Sequence, residues 1–225
     1  MTHARLPSEQ PGIQVVAHRG ASDDAPEHTL AAYRKAIEDG ADALECDVRL
    51  TADGQLVCVH DRRVNRTSNG RGAVSALELA DLAALDFGSW KDHEESPDWD
   101  PVPGELTSVL TLERLLELAH DVRASGRPLQ LAIETKHPTR WAGQVEERLI
   151  QLLGRFGLAD PATADDSPVR IMSFSARSLH RAGHRVHVWT VNEPEDVELC
   201  ARLGVEAIIT NRPKQVLSQL GRRSL

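Results

Sequence analysis

The chain has 225 residues, of which 40% are hydrophobic and 27% are charged, and its 26 Lys and Arg against 34 Asp and Glu give a formal net charge of −8. This composition is typical of a globular protein with a sizeable core and excludes a collagen, a disulfide scaffold and a disordered chain. The excess of negative charge argues against nucleic acid or an anionic membrane as the main partner. No apolar run approaches the roughly 18 residues that a membrane span needs.

Residues 1–14 are polar and lack the charged-then-apolar order of a secretory signal. We therefore expect a flexible N-terminus at 1–12, one domain at 13–225 and a cytoplasmic location. The cysteines are odd in number and show no metal-ligand spacing, which favours reduced, buried packing residues over a disulfide framework. They are Cys46, Cys58 and Cys200.

Short β-branched runs alternate with helical patterns along the chain, which predicts a βα repeat with a parallel sheet. The predicted strands are 13–18, 43–48, 56–60, 129–135, 169–174, 185–191 and 206–210. The predicted helices are 29–39, 75–85, 111–124, 141–156, 194–203 and 213–221. Side chains at three positions predict helix N-caps and three glycines predict helix ends; they are Thr29, Ser75, Thr111, Gly40, Gly126 and Gly204.

The segment 86–105 interrupts this alternation with prolines, glycines, two tryptophans and an acidic run. We interpret it as an inserted surface loop. Two roles stay open, a solvated connection or a lid over a site, because long loops in compact domains are usually functional or disordered.

Chemically useful side chains stand at the ends of the predicted strands. They are His18, Glu45, Asp47, His60, Glu134, Lys136 and Trp189. In a TIM-type (β/α)8 barrel, the C-terminal ends of the strands form one rim, where the active site lies. The pattern therefore predicts an α/β barrel with its site at that rim.

Strand periodicity predicts which of these side chains share a face. Glu45 and Asp47 point the same way, as do Glu134 and Lys136, because successive side chains alternate. A two-residue turn at Asp53-Gly54 (53–54) would place His60 opposite Asp47. A crossover between parallel strands is the alternative, and both arrangements bring His60 near the carboxylates.

Three carboxylates at one rim repel each other unless they are protonated or bound to a cation. Oxygen ligands suit Mg²⁺ or Ca²⁺, whereas no thiolate cluster supports zinc. Two histidines can act as acid and base, and Arg19 and Lys136 are permanent cations that favour a phosphate-like substrate. A structural role explains each of these residues taken singly. A structural explanation of all of them requires several unpaired buried charges, each costing several kcal/mol, so the pattern favours a functional site.

Ordered motifs from about residue 13 to 220 resemble the glycerophosphodiester phosphodiesterase family. They are His18-Arg19-Gly20, Pro26-Glu27-His28-Thr29, Gly40-Ala41-Asp42, Glu45-Cys46-Asp47-Val48, Thr51-Ala52-Asp53-Gly54, Val59-His60-Asp61, Leu110-Thr111-Leu112-Glu113, Ile133-Glu134-Thr135-Lys136, Ser173-Phe174, Val188-Trp189-Thr190-Val191-Asn192 and Ile209-Thr210-Asn211-Arg212-Pro213.

The resemblance implies metal-dependent hydrolysis of a small glycerophosphodiester to glycerol 3-phosphate and an alcohol such as choline or ethanolamine. It assigns the metal to three carboxylates, acid–base catalysis to two histidines, and substrate binding to four further residues. These are Glu45, Asp47 and Glu134; His18 and His60; and Arg19, Lys136, Glu27 and Trp189. Cleavage of lysophospholipids, release of a cyclic phosphate, and an inactive phosphodiester-binding protein are the alternatives.

The chain departs from the family pattern in three places. It has His28 where the family usually has Asn, and Asn211 where the family usually has Asp. One βα unit is also missing between the Ser173-Phe174-Ser175 and Trp189-Thr190-Val191-Asn192 motifs, which leaves seven predicted strands. Either residues near 180–183 join segments that are separate in the natural gene, or the barrel is shortened.

Overall fold

A computed structural model describes residues 13–91, 102, 104–136, 144–159, 167–172, 187–188, 190–203 and 207–222. The strands are β1 (Gln14–His18), β2 (Ala43–Leu50), β3 (Leu56–Cys58), β4 (Gln130–Thr135), β5 (Val169–Met172), β6 (His187–Val188) and β7 (Ala207–Thr210). The helices are α1 (Leu30–Glu38), α2 (Leu79–Ala83), α3 (Leu112–Ala124), α4 (Gln144–Arg155), α5 (Pro194–Leu203) and α6 (Pro213–Gln219). Among the described residues, no helix is long and apolar enough to cross a membrane.

Helix boundaries follow local capping chemistry. As predicted, Thr29 and Thr111 are N-caps. The Thr29 hydroxyl accepts a hydrogen bond from the amide of Ala32 in α1, and the Thr111 hydroxyl accepts one from the amide of Arg114 in α3. Ser75 is not the predicted cap of a long helix. It lies in a short 3₁₀ turn at Val74–Ala76. Helix α2 begins later because Glu78 and Asp81 form a capping box.

The sheet has the strand order β5-β4-β2-β1-β7-β6, with every neighbouring pair along this path parallel. Its register places His18 beside Glu45 and Asp47 beside Glu134. Since parallel strands end at a common edge, this register brings the predicted site residues of three strands to one rim.

The β2–β3 connection is a hairpin, but its predicted register is wrong by one residue. Strand β3 runs antiparallel to β2, and Cys58 is opposite Val48. The amide of Val59, rather than a group of His60, therefore pairs with the carbonyl of Asp47. The cause is that Thr51 still pairs with Gln55, by a hydrogen bond from the amide of Thr51 to the carbonyl of Gln55, so the turn contains the three residues 52–54 rather than two.

Both faces of the parallel sheet are buried, as its apolar strands predict. One face packs against helices through large side chains such as Leu44, Ile133 and Leu115. The opposite face carries a smaller cluster of Val16, Ala43, Ala132, Ala207 and Ile209. All three cysteines are free and buried, which confirms their predicted packing role.

The described strands do not close by hydrogen bonds between β5 and β6. The described residues form seven strands, but the antiparallel β3 lies off the path, so their parallel ladder has six. Ile171 on the edge strand β5 is 53% exposed. The predicted gap between the Ser173-Phe174-Ser175 and Trp189-Thr190 motifs falls mostly outside the described residues.

Candidate active site

A sharp turn after β1 positions the first candidate residues. Arg19 and Gly20 both have positive φ, 58° and 87°. A Cβ on Gly20 would lie 2.7 Å from the carbonyl carbon of Ala32 in α1, so this position requires glycine. The turn directs the Arg19 amide to the Oε2 atom of Glu45, at 2.9 Å.

The three predicted metal ligands lie together. Glu45, Asp47 and Glu134 are all buried, and one carboxylate oxygen of each lies within 4.8 Å of the others. The Lys136 Nζ atom lies 2.9 Å from Asp47 and 2.7 Å from Glu134. The predicted pairing of Glu134 with Lys136 on one face is confirmed.

Asp47 is surrounded by positive charge. Arg19 Nε lies 3.1 Å from its Oδ2 atom, His28 Nε2 lies 2.9 Å from the same atom, and Lys136 contacts Oδ1. Burial opposes ionisation of Asp47, but the hydrogen bond from His28 and the nearby charges hold its pKa well below the usual range. Asp47 therefore remains a carboxylate at any physiological pH.

The environment of Glu45 and Glu134 opposes their ionisation. Burial and the negative charge of Asp47 raise the pKa of Glu45 well above its usual value. Burial also raises the pKa of Glu134, against the opposing effect of Lys136. A buried set of three oxygen donors with this electrostatic repulsion fits a hard divalent cation such as Mg²⁺ or Ca²⁺.

His18 lies at the end of β1, on the side of Asn211. Its Nδ1 atom is 2.7 Å from Asn211 Oδ1. The Ser22 hydroxyl lies 2.9 Å from the same oxygen and 2.8 Å from the carbonyl oxygen of His18. Burial, reinforced by the positive charge of Arg19, lowers the pKa of His18 to about 4.

His60 lies in the loop that follows β3. Its Nδ1 atom lies 2.7 Å from Asp61 Oδ1, and the Arg49 guanidinium donates two hydrogen bonds to its carbonyl oxygen, at 3.0 and 2.7 Å. Burial lowers the pKa of His60, although the bond to Asp61 acts in the other direction.

Glu27 binds two arginines of the site. It accepts a hydrogen bond from Arg19 at 3.1 Å and two from Arg66, at 2.9 and 2.7 Å. Burial opposes its ionisation, but Arg66, His28 and Arg19 together lower the pKa of Glu27 to about 2.

The described ends of the 86–105 segment are held against the rim. The Lys91 ammonium donates to the backbone carbonyls of Ser22, Asp23 and Ala25 in the loop after β1. Glu105 pairs with Arg34 of α1. Residues 92–101 and Trp189 lie outside the described residues, so the lid role and the position of Trp189 remain predictions.

Three residues of the site were not among the sequence-derived candidates. Tyr33, fully buried in α1, contacts His28 and donates to the carbonyl of Glu45. Asp61 contacts His60, and Arg66 contacts Asp61 and Glu27. A carboxylate directly after a candidate histidine was a usable signal for Asp61, whereas Arg66 and Tyr33 had none.

An α/β barrel whose rim joins buried carboxylates, two histidines and fixed cations defines a hydrolase of anionic esters. The model of the Glycerophosphoryl diester phosphodiesterase family matches residues 18–179 and 151–215. The chain belongs to this family and is an enzyme of the phosphodiesterase class.

Individual relatives agree with this family. The chain is 41% identical to a Mycobacterium tuberculosis protein named "Probable glycerophosphodiester phosphodiesterase 1", with 88% of this chain and 89% of the relative covered. It is 30% identical to the glycerophosphodiester phosphodiesterase of Caldanaerobacter subterraneus, with 91% and 96% covered. An Oleispira antarctica phosphodiesterase, solved with the product sn-glycerol-3-phosphate, superposes with a TM-score of 0.69 at 24% identity, covering 93% of this chain and 97% of that one.

The solved relatives confirm the barrel-type fold. The comparisons also agree with a missing βα unit. The alignment with the mycobacterial relative is 252 positions long, although it includes only 88% of this chain, so the relative has residues without a counterpart here. The family model matches in two pieces, 18–179 and 151–215, which overlap at 151–179, so no single uninterrupted match spans the chain.

Proposed function

We propose that this chain catalyses metal-dependent hydrolysis of glycerophosphodiesters to glycerol 3-phosphate and an alcohol. The observation that carries the proposal is the cluster of Glu45, Asp47 and Glu134, whose oxygens lie within 4.8 Å of one another at the rim that also holds both histidines. The product bound to the Oleispira relative supports the same reaction class.

The metal proposed for this site is Mg²⁺ or Ca²⁺, held by the three carboxylates. When bound, the ion would neutralise charge on the phosphodiester. Glu45 and Glu134, which burial and repulsion make reluctant to ionise, would then be stabilised as carboxylates. Metal binding should therefore release protons from the site.

Arg19 and Lys136 are proposed to bind the phosphate. Arg19 is oriented by Glu27, at 3.1 Å, so its guanidinium is fixed before the substrate arrives. Lys136 contacts Asp47 and Glu134 and would give up part of these contacts to phosphate oxygens. Trp189 is proposed to pack against the glycerol part of the substrate.

His18 and His60 are proposed to be the acid–base pair. At neutral pH His18 is unprotonated, because its pKa is near 4, and it can accept a proton from the attacking hydroxyl. His60, whose Nδ1 atom is held by a carboxylate, would donate from Nε2 of its doubly protonated form to the leaving oxygen, and would regain a proton from the water that opens the cyclic phosphate. The family reaction would proceed through attack by the glycerol 2-hydroxyl and a cyclic phosphate that water opens.

We further propose a cytoplasmic location and a single barrel domain at 13–225; the segment predicted at 1–12 lies outside the described residues. The free state of all three cysteines supports a reducing compartment. A small glycerophosphodiester is the proposed substrate.

Product analysis of the wild type and His60→Ala tests the proposal. Wild-type protein with Mg²⁺ or Ca²⁺ should release glycerol 3-phosphate from glycerophosphocholine, and His60→Ala should lose at least about 10²-fold in rate. Phosphorus NMR separates the alternatives. A cyclic phosphate that accumulates as the final product would identify a cyclic-phosphate-forming enzyme. Turnover of lysophosphatidylcholine but not of glycerophosphocholine would identify a lysophospholipid-cleaving enzyme. Ligand binding without any turnover would make the chain a binding protein.

A further inference from the structure

A chain of ion pairs extends outward from His60. The Asp61 carboxylate accepts from His60 Nδ1 at 2.7 Å and from two nitrogens of Arg66, at 2.8 and 3.2 Å. The other edge of the Arg66 guanidinium donates two hydrogen bonds to Glu27. Arg66 is thus shared between two carboxylates, which lie in the loops that follow β3 and β1.

Hydrogen-bond directions determine the protonation of the His60 ring. Arg66 can only donate, and the ionised Asp61 can only accept, so His60 Nδ1 must carry the proton in their bond. In the neutral ring the Nε2 atom is then left without a proton. This is the nitrogen that can exchange a proton with substrate, and the arrangement resembles the carboxylate–histidine pairs that orient catalytic imidazoles.

Asp61 depends on Arg66 to hold its orientation, because the Asp61 side chain is 31% exposed and water competes for its hydrogen bonds. The support is well anchored. Arg66 lies 6.0 Å from the centre of the Trp90 ring, and its partner Glu27 is itself held by Arg19. Isolated ion pairs at the surface contribute little to stability, whereas a guanidinium that binds two carboxylates through two of its edges holds both in a defined orientation.

We propose that Arg66 and Asp61 are positioning residues that fix the tautomer and orientation of His60, with Arg66 linking this histidine to the Glu27 side of the rim and to Trp90. The inference rests on the proposed catalytic role of His60. Other charged groups face His60 from the neighbouring elements, and the variants below leave them in place; these groups are Arg19, Asp47 and Lys136.

Steady-state kinetics with glycerophosphocholine separate positioning from substrate binding. Asp61→Asn should lower kcat on the order of 10²-fold, and Arg66→Ala about tenfold, each with KM changed less than about twofold. Arg66→Lys, which keeps the charge but not the fork, should lie between Arg66→Ala and the wild type. The matched control is Arg63→Ala, an exposed neighbour whose side chain contacts Asn65, and it should keep wild-type values. A rise in KM with unchanged kcat would overturn the proposal and make Arg66 a substrate-binding residue.

Histidine ¹⁵N NMR gives a readout that needs no turnover. In the wild type, the His60 signals, assigned by their loss in His60→Gln, should show a protonated Nδ1 and an unprotonated Nε2 at high pH. Asp61→Asn and Arg66→Ala should mix the two tautomers while their thermal unfolding stays cooperative. An unchanged tautomer in both variants would overturn the proposal. If the wild type shows no turnover, the proposed function fails, and the NMR result still decides whether this network positions His60.

Discussion

The Nε2 atom of His28 lies 2.9 Å from the Oδ2 atom of Asp47. On its other side, Nδ1 lies 2.8 Å from the Tyr33 hydroxyl, which itself contacts the carbonyl of Glu45 at 2.9 Å. Tyr33 has one proton to donate, so all three contacts are hydrogen bonds only when both His28 nitrogens are protonated. In that form His28 adds a third positive charge around a proposed metal ligand.

Replacing His28 with Asn should strengthen metal binding. The change removes the imidazole beside Asp47, which repels a bound cation when both of its nitrogens are protonated; losing this repulsion corresponds to a gain in affinity of about several-fold to tenfold. Calorimetric titration of metal-stripped protein with Ca²⁺ or Mg²⁺ at pH 7 measures the change. His120→Asn, at an exposed position on α3, is the control. Unchanged or weaker binding by His28→Asn would show that His28 supports the ligand rather than competing with the ion.

Stability should fall as the pH drops from about 6.5 to about 4, in part because of His18. Burial lowers the pKa of His18 from 6.5 to about 4 in the folded protein. Between these values the unfolded chain binds more protons, so the free energy of unfolding decreases on acidification, by at most about 3 kcal/mol from this residue. Below about pH 4 this contribution is already lost.

Urea unfolding across this pH range checks the prediction. His18→Gln should have a visibly shallower pH dependence than the wild type, whereas His120→Gln should retain the wild-type slope. If His18→Gln and the wild type lose stability in parallel, the buried neutral state of His18 is refuted.

Alanine at Gly20 should destabilise the protein far more than alanine at Gly126. Both glycines have positive φ, 87° and 92°, so each substitution carries backbone strain of about 1–2 kcal/mol. Only at Gly20 would the new Cβ also meet α1, with Ala32 atoms at 2.7–2.8 Å, whereas nothing lies within 4 Å at Gly126.

The collision should add a further 1–3 kcal/mol, measured as the difference in urea unfolding between Gly20→Ala and Gly126→Ala. Gly20→Ala should also lower turnover, because the turn carries His18 and Arg19. Equal losses in the two variants would mean that α1 does not hold the turn in place.

Much of the barrel and of the site could be predicted because local chemistry determines it. Thr29 and Thr111 cap their helices by short-range hydrogen bonds, and strand periodicity alone places Glu45 and Asp47 on one face. The hairpin shows where this reasoning fails. Asp53 and Gly54 mark a turn, but Thr51 pairs with Gln55, so the turn has three residues instead of two and the register moves by one.

The site contacts between residues distant in sequence could not be predicted in the same way. Asn211, which follows β7 near the far end of the sequence, contacts His18, and Arg66 from the loop after β3 contacts Glu27 from the loop after β1. Such contacts depend on how strands distant in sequence become neighbours. In the sequence alone, Arg66 is indistinguishable from an ordinary surface arginine and Tyr33 from an ordinary core tyrosine.

The most direct test of the account is release of glycerol 3-phosphate from glycerophosphocholine by metal-stripped protein, with Mg²⁺, Ca²⁺ or no ion added back. We predict no release without an ion, release with one of the two ions, and a loss of at least about 10²-fold in Glu45→Gln, in which the cluster lacks one of its three carboxylates. Equal release with and without ions, or full activity in Glu45→Gln, would contradict a metal-dependent reaction at this cluster.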